Sequence, residues 1–123
     1  MLGIGVDLVD VARIEKAFAK NTEKFPRRIL SPEELEQFLV SADEVAFLAK
    51  RFAAKEAVAK ALGTGFSGGV SWTDISLDHD ELGKPYVNLF GAAEEQFQRM
   101  GATRVLVSLS DEAGLVIAYA NVS

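Results

Sequence analysis

Two carboxylates and a group of cations carry the chemistry available to this chain. Asp7 closes the alternating run Leu2-Gly3-Ile4-Gly5-Val6-Asp7, in which it shares a face with Gly3 and Gly5. Glu56 lies in an alanine-rich segment, Phe47 to Leu62, together with Arg51, Lys55 and Lys60, and Gly63-Thr64-Gly65 follows directly. Magnesium takes few carboxylates and completes its shell with waters and substrate phosphate oxygens. Asp7 and Glu56 could be those carboxylates. Arg51 and Lys60 could hold phosphates, and the glycines would let backbone N–H groups approach them. Each residue also has a plainer explanation. The strand glycines could simply admit a packed helix, with Asp7 capping a turn. Arg51 and Lys55 could bury their stems and extend their heads to water. Glu56 and Lys60, at i and i+4, could form a surface pair contributing about 0.2–0.5 kcal/mol. These explanations suit single residues better than the cluster of four charges on one alanine-packed helix.

Other chemistries are excluded or weak. There is no cysteine, so neither disulfides nor thiolate catalysis are open. No Gly-x-x-x-x-Gly-Lys-Ser/Thr run occurs, and the glycine loop follows a helix where a nucleotide P-loop precedes one. Gly3-x-Gly5 lacks the third glycine of a dinucleotide fingerprint. The one histidine, His79, sits in a polar turn and reads as surface. The net charge of −5 disfavours nucleic acid as a partner. Residues 1–28 nevertheless hold six basic against four acidic side chains, so the N-terminal segment is positive on an acidic chain. That asymmetry points to an acidic partner. No apolar run approaches the about 18 residues that cross a bilayer, and no leader of basic then apolar residues is visible, so a cytoplasmic protein is expected.

The elements that must position these groups can be read from periodicity. Residues 2–9 alternate as a strand. A helix is expected after Asp10, with Val11, Ile14 and Phe18 on its apolar side and Arg13, Lys16 and Lys20 on another. Ser31-Pro32-Glu33-Glu34 is a capping box opening a second helix, and Ser41-Ala42-Asp43-Glu44 repeats the pattern before the long helix. Gly63 marks the end of that helix. Residues 74–78 and 86–90 read as a hairpin, 92–100 as a helix, and 105–109 with 115–122 as a second hairpin. With 123 residues and 49% hydrophobic composition, the chain is expected to form one α+β domain, residues 1–123. Its sheet should be largely antiparallel and packed on the long central helix.

Several of these runs resemble one family. Gly3-Ile4-Gly5-Val6-Asp7-Leu8-Val9, then Arg13, then Arg28-Ile29-Leu30 followed by Glu34, is similar to the opening of the bacterial holo-acyl-carrier-protein synthases. The run 47–65, FLAKRFAAKEAVAKALGTG, resembles their signature segment, and Asp-Glu-Leu-Gly-Lys-Pro at 80–85 and Val107-Ser108-Leu109-Ser110 also match. The resemblance implies a 4′-phosphopantetheinyl transferase-like fold. The implied activity moves phosphopantetheine from coenzyme A to a serine of apo-acyl carrier protein, in support of fatty acid biosynthesis. It implies Asp7 and Glu56 as magnesium ligands; with Lys60 they form the expected catalytic group, Glu56 taking the serine proton directly or through a water. Arg51, Lys60, Gly63 and Thr64 match positions that meet coenzyme A. Arg13 matches a position near the carrier protein, and Lys16, Lys20 and Arg28 extend that basic surface. A homotrimer with sites between subunits is implied. One departure stands out: many members carry histidine where this chain has Asp111, so the contact made by that histidine does not transfer. Two rivals are a metal-dependent coenzyme A or nucleotide pyrophosphohydrolase and a non-catalytic carrier-protein-binding module. A hydrolase would not need the basic helix, and a bare binding module would not need both carboxylates.

Overall fold

A computed structural model describes all residues, 1–123. The order is β1 (Gly3–Asp10), α1 (Val11–Lys20), α2 (Lys24–Ile29), α3 (Pro32–Leu39), α4 (Glu44–Ala61), a 3-10 turn (Trp72–Asp74), β2 (Ile75–His79), β3 (Pro85–Leu89), α5 (Gly91–Arg99), β4 (Val105–Glu112) and β5 (Leu115–Val122). The strands are all antiparallel, but they form two sheets where one was expected. The larger has the order β1-β5-β4, and β2 and β3 pair separately. Asp10 caps α1 by accepting from the Ala12 N–H at 3.0 Å, as its position predicts.

Two local expectations need correction. Helix α2 is not expected from the sequence: it has six residues and no side-chain N-cap, so it leaves little signal. The cap of α4 is Asp43, which accepts from the Ala46 N–H at 3.0 Å. Ser41 instead turns back, its hydroxyl donating to the Phe38 carbonyl at 2.8 Å at the end of α3. The box at Ser31 holds as expected.

Helix α4 is the centre of the core. Leu48, Ala49, Ala53, Ala54, Ala57, Val58, Ala59 and Ala61 are all buried. The large sheet lies directly on it. A Cβ at Gly5 would collide with the Ala57 carbonyl, and one at Gly3 with that of Ala61. The strand glycines therefore serve helix packing, the plainer of the two readings. No helix is long and apolar enough to cross a membrane.

The other side of α4 carries a buried ion pair. Lys55 is fully buried, and its Nζ donates to Glu34 Oε1 at 2.6 Å, to the Trp72 carbonyl at 2.9 Å and to the Ile75 carbonyl. Glu34 also accepts from the Ser31 N–H at 2.9 Å and the Leu77 N–H at 3.0 Å. Burial pushes the Lys55 ammonium below its ordinary pKa, and Glu34 opposes that shift. The pair joins α3, α4 and the start of β2. Removing one partner strands the other charge in a dry interior. Lys55→Met is expected to lower unfolding free energy by about 3–5 kcal/mol in urea denaturation, and adding Glu34→Gln should recover part of the loss.

Candidate active site

The close seating of β1 on α4 brings the two carboxylates together. Asp7 follows Gly5 on the helix-facing side of β1, and Glu56 and Lys60 lie one turn apart on α4. Lys60 Nζ donates to Asp7 Oδ1 at 3.2 Å and to the Val6 carbonyl at 3.0 Å. The Asp7 side chain is only 16% exposed, while that of Lys60 is 50% exposed and free to meet solvent or ligand. Glu56 is half-buried. Its pKa is raised by burial first and then by the charge of Asp7, with Lys60 acting in the opposite direction. The i, i+4 pairing of Glu56 with Lys60 does not form; Lys60 takes Asp7 instead.

Asp7 and Glu56 open onto a cavity of about 280 Å³ also lined by Asp10, Arg13, Phe25 and Phe52. The donor set suits a hard cation. Two carboxylates are close enough to repel, one half-exposed lysine offsets them incompletely, and no cluster of three or more Asp, Glu, His or Cys forms a closed cage. Magnesium prefers such a sparse arrangement, filling its remaining positions from water and phosphate.

The glycine loop begins at the end of α4. Gly63 takes φ 82°, a left-handed conformation that lets its N–H return to the Lys60 carbonyl at 2.9 Å. The Gly65 N–H reaches back to the Ala59 carbonyl at 3.0 Å, and Gln96 of α5 donates to the Leu62 carbonyl at 2.9 Å. The N–H groups of Thr64, Phe66 and Ser67 have no acceptor within the chain. Backbone N–H groups without an acceptor, in a loop that follows Lys60, could receive an anion.

Arg51 is not brought to this centre. Its Nη2 donates to Gln37 at 3.2 Å, its guanidinium lies 3.8 Å over the Phe47 ring, and its Nε stands 3.8 Å from Glu34. That Nε is buried and has no hydrogen-bond acceptor. Burial lowers the Arg51 pKa, and Glu34 and Asp78 oppose the shift. The four charges read as one cluster thus divide. Arg51 and Lys55 turn to Glu34, whereas Glu56 and Lys60 turn to Asp7. Glu34 was recognised only as a capping residue. The sign that it did more was the need of Lys55, set among bulky apolar neighbours, for a buried acid.

A second cavity of about 420 Å³ shares no lining residue with the first and includes Lys50, His79, Lys84, Ser110 and Asp111. Asp111 pairs with Lys50 at 3.5 Å. His79 is exposed as expected, but it is the last residue of β2, paired with Pro85, and not part of the turn; partial burial followed by the charge of Arg51 pushes its imidazole below the ordinary value. Arg13, Lys16 and Lys20 are exposed on α1, and Arg28 is exposed in the last turn of α2. Of these four only Arg13 lines the carboxylate cavity.

Comparison with known proteins agrees with this geometry. Residues 3–120 match the 4′-phosphopantetheinyl transferase superfamily. A holo-[acyl-carrier-protein] synthase of Vibrio cholerae is 48% identical over 112 residues, covering 91% of this chain and 89% of that protein. The crystal structure of the synthase from Neisseria meningitidis superposes with a TM-score of 0.95 at 44% identity, covering 100% of this chain and 98% of the other. The Helicobacter pylori synthase in complex with coenzyme A gives 0.84 at 34% identity, covering 98% and 99%. With near-complete coverage, a common fold and the paired carboxylates in place, this chain belongs to the holo-[acyl-carrier-protein] synthases of the 4′-phosphopantetheinyl transferase superfamily.

Proposed function

We infer that this chain transfers the 4′-phosphopantetheine of coenzyme A to a serine of apo-acyl carrier protein, releasing adenosine 3′,5′-bisphosphate. The observation that carries the chemistry is the meeting of Asp7 and Glu56 at one cavity that Arg13 also lines, with Lys60 held against Asp7. Helix α1 lines the same cavity through Arg13, Ile14 and Ala17, and the glycine loop follows Lys60 at the end of α4. The relatives named for this reaction, and the one solved with coenzyme A, support the assignment of substrates.

In this reading Asp7 and Glu56 hold magnesium. When bound there, the ion supplies positive charge to the coenzyme A pyrophosphate and to the leaving group. Lys60, half-exposed beside Asp7, holds a phosphate oxygen and stabilises negative charge in the transition state. The N–H groups after Gly63, with Thr64, orient the pyrophosphate. The serine oxygen forms the new P–O bond at the β-phosphorus, and the bond to the adenylate side breaks. Glu56 takes the serine proton, directly or through a water. Arg51 is held away from Asp7 within one chain, so its contact with coenzyme A is made across a subunit boundary.

The test is the intact mass of an apo carrier protein after incubation with this protein, coenzyme A and magnesium. A gain of one phosphopantetheine is expected. Cleavage of coenzyme A without that gain would instead identify a pyrophosphohydrolase, and no reaction a binding module. Asp7→Ala and Glu56→Gln should each lower the rate by about 10²-fold or more. Glu56→Gln should also unfold at no lower temperature than wild type in metal-free buffer at neutral pH. The sign follows from the raised pKa. Folding a charged Glu56 is penalised above its folded pKa, and the penalty shrinks as pH falls through that value and is gone below the unfolded pKa, where both states are protonated. The advantage of the glutamine variant should therefore shrink on acidification; a constant difference would contradict the shift.

A homotrimer is supported by the sheet face turned away from α4. Ile4, Val6 and Leu8 of β1 are exposed beside Ile117 and Tyr119 of β5, with Val6 opposite Tyr119 and Leu8 opposite Ile117. An apolar face of this extent calls for a cover, and a closed assembly supplies one. Light scattering should give three times the 13.3 kDa chain mass, and Ile117→Asp should dissociate the assembly. A fully active monomer would refute this.

The cations of α1 are assigned to docking of the acidic carrier protein. Arg13 leads from that face into the carboxylate cavity. Reversing Arg13 and Lys16 to glutamate should raise the carrier-protein KM roughly tenfold and flatten its salt dependence, with the coenzyme A KM changed much less. Unchanged carrier-protein kinetics would place docking elsewhere.

A further inference from the structure

The glycine loop has to hold its free N–H groups in place, and beyond Gly65 its hydrogen bonds are local, from the Ser67 hydroxyl to the Thr64 carbonyl at 2.6 Å and from the Val70 N–H to the Ser67 carbonyl at 3.2 Å. Between the end of α4 and buried Val70, Ser67, Gly68 and Gly69 are exposed. The one large side chain in the span is Phe66, and it lies flat on Trp72, with ring centroids 3.9 Å apart and planes inclined by 19°. The opposite partner of Trp72 is Phe52 of α4, at 4.7 Å and 28°. The indole is thus clamped between a ring from the loop and a ring from the helix. Phe52 stands one helical turn before Glu56, and both line the carboxylate cavity. The backbone of Trp72 is itself pinned, because its carbonyl accepts from the buried Lys55 ammonium at 2.9 Å.

We propose that Trp72 is a positioning residue for the anion-binding loop: clamped between Phe66 and Phe52 and anchored by Lys55, it sets where the loop N–H groups stand relative to Asp7 and Glu56. It touches none of the reacting atoms. The proposal deepens the reading of this loop as the coenzyme A phosphate site and rests on that reading. A loop of small residues samples many conformations, and each stacked ring removes some of that freedom before the ligand arrives. Offset stacking of this kind adds to burial a preference for one relative orientation, which burial alone does not supply. Misplacing a binding group by about 1 Å can cost up to 10²-fold in rate, so loss of the stack should be visible in kinetics.

Trp72 is the sole tryptophan, so its emission reports on the stack. Trp72→Leu and Phe66→Leu should each raise the coenzyme A KM roughly tenfold, while kcat at saturating coenzyme A falls by much less. Trp72→Phe, which keeps a flat ring, should restore most of the affinity. Titrating the wild-type protein with coenzyme A should alter Trp72 emission, and Phe66→Leu should diminish that change. Phe66 is half-exposed on a loop, so its variant carries the test if Trp72→Leu does not fold. A wild-type coenzyme A KM in Phe66→Leu, or a loss confined to thermal stability or to kcat, overturns the positioning role while wild-type transfer upholds the function. A wild-type protein that neither binds coenzyme A nor modifies carrier protein overturns both.

Discussion

The contact on which everything else depends is the seating of α4 against β1 without side chains between them. Gly3 and Gly5 lie against the carbonyls of Ala61 and Ala57, closer than any Cβ would permit. Ordinary helix–sheet packing keeps a layer of side chains in the gap, and such a layer would separate the strand from the helix. Without it, Asp7 on the strand and Lys60 on the helix come within 3.2 Å, and the charge of Asp7 reaches Glu56. The run of small residues on α4 serves the same end, since Ala57 and Ala61 leave the helix surface smooth where the strand crosses it. Hydrophobic area is given up on both sides of this contact, because glycine and alanine bury little. Two carboxylates at a fixed separation are gained.

A helix that is buried nearly all round can still carry Arg51, Lys55, Glu56 and Lys60 because each has a defined destination. Lys55 and Arg51 turn toward Glu34, and Glu56 and Lys60 toward Asp7. The difference between the two groups is dielectric. Lys55 and Glu34 are both removed from water and satisfy one another with backbone carbonyls and N–H groups around them. That arrangement is rigid and has no capacity left for a ligand. Lys60 is half-exposed and Glu56 half-buried, so the second group keeps an incomplete balance of charge that a cation or a phosphate can complete. One helix therefore supports structure on one face and chemistry on another, and the division follows from exposure more than from residue type.

Much of the architecture was legible in the sequence because its signals are local. Alternation marked β1, capping chemistry marked α1 and α3, and Gly63 marked the end of α4. The carboxylate pair was legible too, since Asp7 shares a strand face with Gly3 and Gly5 and Glu56 sits on a helix too apolar for ordinary charges. What could not be read depended on contacts distant in the chain. Glu34 looked like half of a capping box, and its link to Lys55, 21 positions away, exists only after folding. The division of five strands into two sheets goes with the packing of β2 on α3 and α4, which no period reveals. Arg51 seemed equivalent to Lys60, yet four residues before Lys55 on the same side it shares the environment of Glu34. Helix α2 was invisible because a single turn and a half without a side-chain cap has no distinctive pattern.

The same seating that creates the site also leaves it unfinished. By devoting one face of the large sheet to α4, the fold turns the other, with Ile4, Val6 and Leu8, out to solvent. A larger protein would cover that face with a second layer of helices; in 123 residues the helices are already spent on the opposite side and on the ends. The two cavities are separated as well, one beside Asp7 and Glu56 and the other between Lys50, His79 and Lys84, with Arg51 turned away from the carboxylates. A bulky nucleotide reaching from one set of cations to the other exceeds what either cavity encloses. The proposed assembly would meet both deficits: association of copies of this chain would bury the apolar face, and its symmetry would set the cations of one subunit beside the carboxylates of the next. Assembly and substrate binding then answer to one constraint, the smallness of a domain that had to expose one sheet face in order to bring Asp7 to Glu56.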